Sequence, residues 1–200
     1  MEEIGKQFLR NIQNEMDSYI ENVDLTAVEK AANIILDAEA KGKRVHVTGI
    51  GKPGHVAGYI ASLLSSTGTP SYELHGTEAV HGSSGQVLTG DVVIAISNSG
   101  ETSELKATVD TLLKNGARII SCTGNEHSSL AQSSEVCPKA QVGREGDSLN
   151  KPPRASILAE IIVLQLLSDL LQEHKHLNLE QYVKWHPGGS LGKSIREMEK

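Results

Sequence analysis

Apolar residues recur at two distinct periods along this chain. From Ile4 through Phe8, Ile12, Met16 and Ile20 the spacing is helical. A second helical stripe (Leu25, Val28, Ala31, Ala32, Ile35, Leu36) follows Asp24, an N-cap residue, and ends at Gly42, a C-cap glycine. The pattern then changes to short apolar runs alternating with helices. Runs at 44–48, 70–74, 91–97, 117–122 and 135–140 read as strands. The segments 53–66, 101–115, 153–173 and 179–185 read as helices. Strands that are apolar without alternation are buried on both faces, and helices between them imply right-handed parallel crossovers. The spacing therefore predicts an α/β fold: a doubly wound, three-layer αβα sandwich on a five-stranded parallel sheet. Residues 1–41 form a helical pair ahead of the 42–200 core, and the whole is one domain.

Composition narrows the classes. Apolar residues make up 38% and charged residues 22%, which fits a soluble folded domain of 200 residues. A net charge of −6 and only 3% aromatics argue against nucleic-acid binding, which needs a basic surface or stacking rings. Cys122 and Cys137 are not spaced as a CxxC pair and read as reduced thiols. The start Met1-Glu2-Glu3-Ile4 has no basic segment followed by an apolar one, so no signal peptide is expected. The long apolar stretch 155–171 carries Glu160, Gln165 and Asp169, so it reads as a core helix, with no membrane partner. The expected compartment is the cytoplasm.

In a parallel sheet the loops after the strands carry the ligand chemistry. The first loop, Gly49-Ile50-Gly51-Lys52-Pro53-Gly54, matches GxGxxG, with Glu73 near the place of a ribose-binding acid. That opens a nicotinamide-dependent oxidoreductase reading. The lysine inside the turn and the richer polar loop after the third strand weigh against it. That richer loop is Ser97-Asn98-Ser99-Gly100-Glu101-Thr102, directly ahead of a helix. Hydroxyls and backbone N–H groups converging on a helix N-terminus suit a phosphate monoester. Plain N-capping would need only one of these residues. The segment 188–194 ends in the letters GKS, but Pro187 stands where a P-loop needs its first glycine, and no strand precedes it.

Taken together, the segment 49–99, Gly100-Glu101-Thr102, Arg144-Glu145 and the HPGG run from His186 resemble the SIS-domain arabinose-5-phosphate isomerases over roughly three quarters of the chain. The combination of GxGKxGH, STGTP, EAxHG, AISNSGE and HPGG carries the resemblance. It implies a five-stranded sandwich, a homodimer or homotetramer, a small-molecule sugar phosphate as ligand, no cofactor and no metal. It also implies catalytic positions at Lys52, Glu101, Glu145, His186 and His81, and a phosphate site of Gly51, Ser97, Asn98, Ser99 and Thr102. The expected reaction is aldose–ketose isomerisation, with arabinose 5-phosphate and ribulose 5-phosphate as the leading pair, through an enediol. Lys52 would polarise the carbonyl, Glu145 or Glu101 would move the proton, and His186 or His81 would assist ring opening.

Each residue also has a plainer reading. Lys52 could be a solvated loop lysine, Glu101 a first-turn helix acid, Glu145 a surface acid and His186 a turn residue. A phosphosugar-sensing module would need the phosphate loop without the acid–base set, so the joint presence of Lys52, Glu101, Glu145 and His186 favours an enzyme. Two departures from the family pattern stand out. Pro53 replaces a serine, and Arg154 places a cation where small hydroxyls are usual. Many relatives carry two C-terminal cystathionine-β-synthase-type modules, and none follows the HPGG segment in this sequence.

Overall fold

The computed structural model describes residues 1–188. Two helices lead: α1 (Glu2–Glu21) and α2 (Leu25–Ala40). Asp24 caps α2 as the sequence predicts, accepting from the Ala27 N–H at 3.1 Å. Gly42, at φ +69°, turns the chain out of α2 while the N–H of Lys43 returns to the Ala38 carbonyl. The core then runs β1 (Val45–Gly49), α3 (Lys52–Ser66), β2 (Ser71–His75), β3 (Val92–Ile96), α4 (Ser103–Lys114), β4 (Arg118–Cys122), α5 (Ser129–Gln132), α6 (Ala155–His174) and α7 (Leu179–Trp185). Two short 3-10 turns, Glu78–His81 and Ser83–Gln86, fill the β2–β3 connection, which apolar periodicity did not reveal.

The sheet is parallel, in the order β2-β1-β3-β4. Its register sorts the side chains. Val45, Val47, Ile94, Ile96, Ile120 and Cys122 face α2, α3 and α6 in one core cluster; Val93, Ala95 and Ile119 face α4 and α5 in the other. Helices thus cover both faces, the expected layered arrangement. The first strand of each half, β1 and β3, are neighbours, so the chain winds outward in opposite directions from the seam between them.

The expected fifth strand is corrected. Beyond β4, residues 135–140 run alongside the sheet but make only two isolated bridges, Ile120 to Val136 and Thr123 to Lys139, so the sheet has four strands among the described residues. Pro138 sits between the two bridges and has no N–H to donate, so a regular ladder cannot form across it.

Two buried features tie the frame together. Asp91 accepts from the Arg44 and Leu88 N–H groups at 3.0 and 2.9 Å and lies 3.4 Å from the His46 ring, joining the starts of β1 and β3. The helix α6 is long and apolar enough to cross a membrane by length and composition. Its buried residues Ala159, Val163, Leu164, Leu167 and Leu171 instead pack in the core with α2 and α3, as expected for a core helix.

Candidate functional site

The carboxyl ends of β1 and β3 lie side by side, with Gly49 paired to Ile96. The two glycine-rich loops that leave them therefore border one crevice, at the topological switch point. After β1 the chain must turn at once into α3. A Cβ on Gly49 would meet the Pro53 backbone at 2.7 Å, so strand and helix approach as closely as they do only because Gly49 has none. Gly51 adopts φ +68° and presents open space above it. Lys52 is then the first residue of α3, and Pro53 fits the first turn, where no intrahelical N–H bond is lost. Lys52 is exposed and, with His55 and Tyr59, lines a cleft of about 310 Å³ shared with Pro153 and Ile157 at the start of α6.

The loop after β3 is a tight turn. The Ser97 hydroxyl lies 3.2 Å from that of Thr102 and accepts from the Gly100 N–H, while Ser99 Oγ accepts from the Glu101 N–H. The Asn98 carbonyl accepts from the Gly124 N–H at 2.9 Å and the Thr123 hydroxyl at 3.0 Å, which fixes the turn to the exit of β4. Ser97 is buried, while Asn98 and Ser99 are exposed. Thr102 is the N-cap residue of α4, but its side chain caps nothing. Its hydroxyl, with those of Ser97 and Ser99, is directed into the turn ahead of the helix N-terminus.

The two glutamates have different surroundings. Glu101 accepts from the Ser129 N–H at 2.7 Å, the Ser129 hydroxyl at 2.8 Å and the Lys106 ammonium at 3.1 Å. The Ser129 bonds first, and Lys106 next, hold its carboxyl down at about 2. A carboxylate so stabilised is a weak proton acceptor, and its bonds make it an anchor for α5. Glu145 is nearly buried, at 9% exposure. Its Oε2 accepts from the Arg154 N–H at 2.6 Å and the Ser156 N–H at 3.1 Å. Arg154, the N-cap position of α6, gives that helix no side-chain cap, so Glu145 supplies it from nine residues upstream. The Arg154 side chain turns away, with Nε donating to Asp147 at 2.8 Å and the guanidinium over the Phe8 ring. The Arg154 cation thus lies on the α1 side of the loop.

Lys52 and Glu145 both lie near the start of α6, Lys52 across a cleft from Pro153 and Ile157 and Glu145 on the Arg154 and Ser156 N–H groups. The histidines do not join them in the same way. His81 ends an exposed 3-10 turn beyond β2. His186 follows α7, whose Trp185 packs on Gly68 in the α3–β2 connection, at the amino end of the sheet. The C-terminal end of α6 reaches the same place, where the Lys175 ammonium bonds the Gly68 carbonyl. His186 is therefore at the opposite end of its own chain from Lys52. Its Nδ1 donates to the Tyr182 carbonyl at 2.8 Å and its ring stacks on Tyr182. The remainder of the glycine-rich tail, residues 189–194, lies outside the described residues.

Sequence reasoning missed Ser128 and Ser129, which close around the β3 turn. The Gly100 φ of +67° and the contact a Cβ there would make with Ser128 explain that closeness. In the sequence Glu160 reads only as an acid interrupting the apolar stretch of α6.

The chain is similar to several known proteins. The arabinose 5-phosphate isomerase KdsD of Pseudomonas aeruginosa is 41% identical over 166 residues, covering 83% of this chain and 50% of that protein. The KdsD of Escherichia coli K12 is 36% identical over 197 residues, covering 97% of this chain and 58% of that one. The chain thus spans between half and three fifths of the length of these curated relatives. A protein of E. coli CFT073, solved in complex with arabinose 5-phosphate, superposes with a TM-score of 0.82 at 38% identity, covering 91% of this chain and 95% of that chain. The Vibrio vulnificus NanR protein, complexed with ManNAc-6P, shares the fold at a TM-score of 0.74 and 19% identity, covering 91% of this chain and 65% of that one. Residues 40–168, more than half of the sequence, match the SIS domain profile, and the chain belongs to that family.

Proposed function

We propose that this chain is a cytoplasmic aldose–ketose isomerase acting on a sugar phosphate, with arabinose 5-phosphate and ribulose 5-phosphate as the substrate pair. The observation that carries the reading is the hydroxyl-rich turn Ser97 to Thr102 after β3, next to the lysine-bearing loop after β1 at the paired carboxyl ends of the two strands. Support also comes from the relatives named arabinose 5-phosphate isomerase.

The chemistry follows from these groups. The phosphate sits on the turn Ser97–Thr102, held by hydroxyls and by N–H groups at the N-terminus of α4, with Gly51 across the crevice. The sugar then extends toward α6. In the open-chain aldose, Glu145 takes the proton from C2 while the C2–H electron pair forms the C1–C2 double bond, and O1 gains a proton. Lys52 beside the oxygens stabilises the charge that develops there. Return of a proton to C1, with loss of the O2 proton, gives the ketose. Glu101 is the lesser candidate for the base, since Ser129 and Lys106 engage both of its oxygens, whereas the two N–H bonds to Glu145 fall on one oxygen, Oε2. His81 and His186 remain candidates for ring opening, His186 from a neighbouring subunit in a homodimer or homotetramer.

Isomerase assays on a panel of sugar phosphates test this. Turnover of arabinose 5-phosphate is expected, with kcat lowered roughly 100-fold or more in Lys52→Ala. Tight phosphosugar binding with no turnover of any panel member would instead make the chain a sensor.

A further inference from the structure

The buried face of α6 is apolar except at Ser156 and Glu160, one helical turn apart, together with Ser168 further along. Ser156 and Glu160 are fully buried, and among the described residues the Ser156 hydroxyl and both Glu160 carboxyl oxygens have no hydrogen-bond partner. The Ser156 N–H is one of the two that hold Glu145. The titratable groups around Glu160 come from two directions. Glu145 comes from the loop ahead of α6 and Cys122 from β4; beyond Cys122 lies Tyr19 of α1, its hydroxyl bonded to the Lys139 carbonyl. The side chains Lys52, His55 and Tyr59 of α3 lie along the neighbouring Ile157–Ile161 stripe, and α2 faces the core with alanine, valine and isoleucine. Among the described residues no cation pairs with Glu160.

A buried carboxylate with neither a cation nor an N–H donor is unfavourable, so the stable form carries the proton. Glu145, by contrast, accepts from two backbone N–H groups at a helix N-terminus, donors that Glu160 lacks among the described residues. We propose that Glu160 is a positioning residue for Glu145: a proton-holding neighbour that leaves the pair with one negative charge and assigns that charge to Glu145. This deepens the reading of Glu145 as the base and rests on it. Glu160 exchanges nothing with the substrate. Its ionisation would put a second charge beneath Glu145 and hold the abstracted proton too tightly, so turnover should fall on the alkaline side. Burial first, and the Glu145 charge next, push the Glu160 carboxyl up to about 8.

The test separates the proton from the catalysis. A carboxyl that binds its proton more tightly when folded makes the native state lose stability as pH rises from 4.5 to about 8, with a flat response outside that window. Denaturant unfolding across pH 4 to 9 should show that slope in the wild type and not in Glu160→Gln. Carbon-13 NMR of glutamate-labelled wild-type protein reads the same titration without a substitution. In Glu145→Gln the midpoint should move to lower pH, because the neighbouring charge is gone. In isomerase assays, Glu160→Gln should lose the alkaline limb near pH 8 while keeping kcat at neutral pH within about threefold. Identical pH slopes in wild type and Glu160→Gln, or no titration by NMR above the ordinary carboxyl range, would overturn the proposal. So would an unmoved midpoint in Glu145→Gln, which decides the coupling even in a chain that turns over no sugar phosphate.

Discussion

At the scale of single residues, an acid beside a phosphate-type loop can be a base or an anchor, and its hydrogen bonds decide which. Glu101 follows a Ser-Asn-Ser-Gly turn and invites a catalytic role, yet both its oxygens are engaged by Ser129. A carboxyl held low in the folded state contributes stability that is present above its unfolded value of 4.5 and lost as pH falls through about 2. Glu101→Gln should therefore melt below the wild type at neutral pH, and the gap between them should close between pH 4.5 and 2. A gap that stays constant down to pH 2 would show that the Ser129 bonds do not form. The exposed Lys52 is the converse case. Its flexible side chain is exposed at the start of α3, beside the seam of the sheet.

At the scale of elements, α6 shows how one residue serves packing and chemistry together. It begins where the 141–154 segment folds back, and its first N–H groups need an acceptor that its own N-cap, Arg154, lacks. Glu145 provides one, and the same contact fixes the carboxylate in space. Removing it in Glu145→Ala leaves two N–H groups unpaired near a buried helix end, which should destabilise the fold by about 1–3 kcal/mol. Glu145→Gln keeps an accepting oxygen and should recover most of that stability while remaining inactive. Thermal melts beside steady-state kinetics for the two variants would show the split. Equal loss of stability in both would place the contact outside the folding energetics.

At the scale of the whole molecule, the separation of His186 from Lys52 has a consequence for assembly. The α6 helix carries the chain from the carboxyl end of the sheet to its amino end, and α7 packs there against Gly68. A ring at that end can contribute to a site near Lys52 only if a second copy supplies the site. Lys52→Ala and His186→Ala should each be inactive alone, and mixing them through a denature–refold cycle should restore activity. In each mixed pair one site would hold both wild-type residues. Failure to complement, with each variant confirmed to be folded and oligomeric, would remove His186 from the reaction.

The amino-acid order alone determined the alternation of helices and strands, the capping of α2 by Asp24, and the two loops that lie at the switch point. These follow from periodicity and turn chemistry, which are local. The HPGG and EAxHG motifs marked residues without saying where they would lie, because position depends on how far the intervening helices carry the chain. The fifth strand was overread because residues 135–140 have strand-like composition, and the effect of one missing N–H at Pro138 shows only when its neighbour is in place. The same holds for the acids. Nothing in the sequence around Glu145 or Glu160 distinguishes a helix cap from a buried proton holder. Hydrogen-bond supply and distance from water set those roles, and only the tertiary structure brings the Arg154 and Ser156 N–H groups to one carboxyl and leaves the other without a partner.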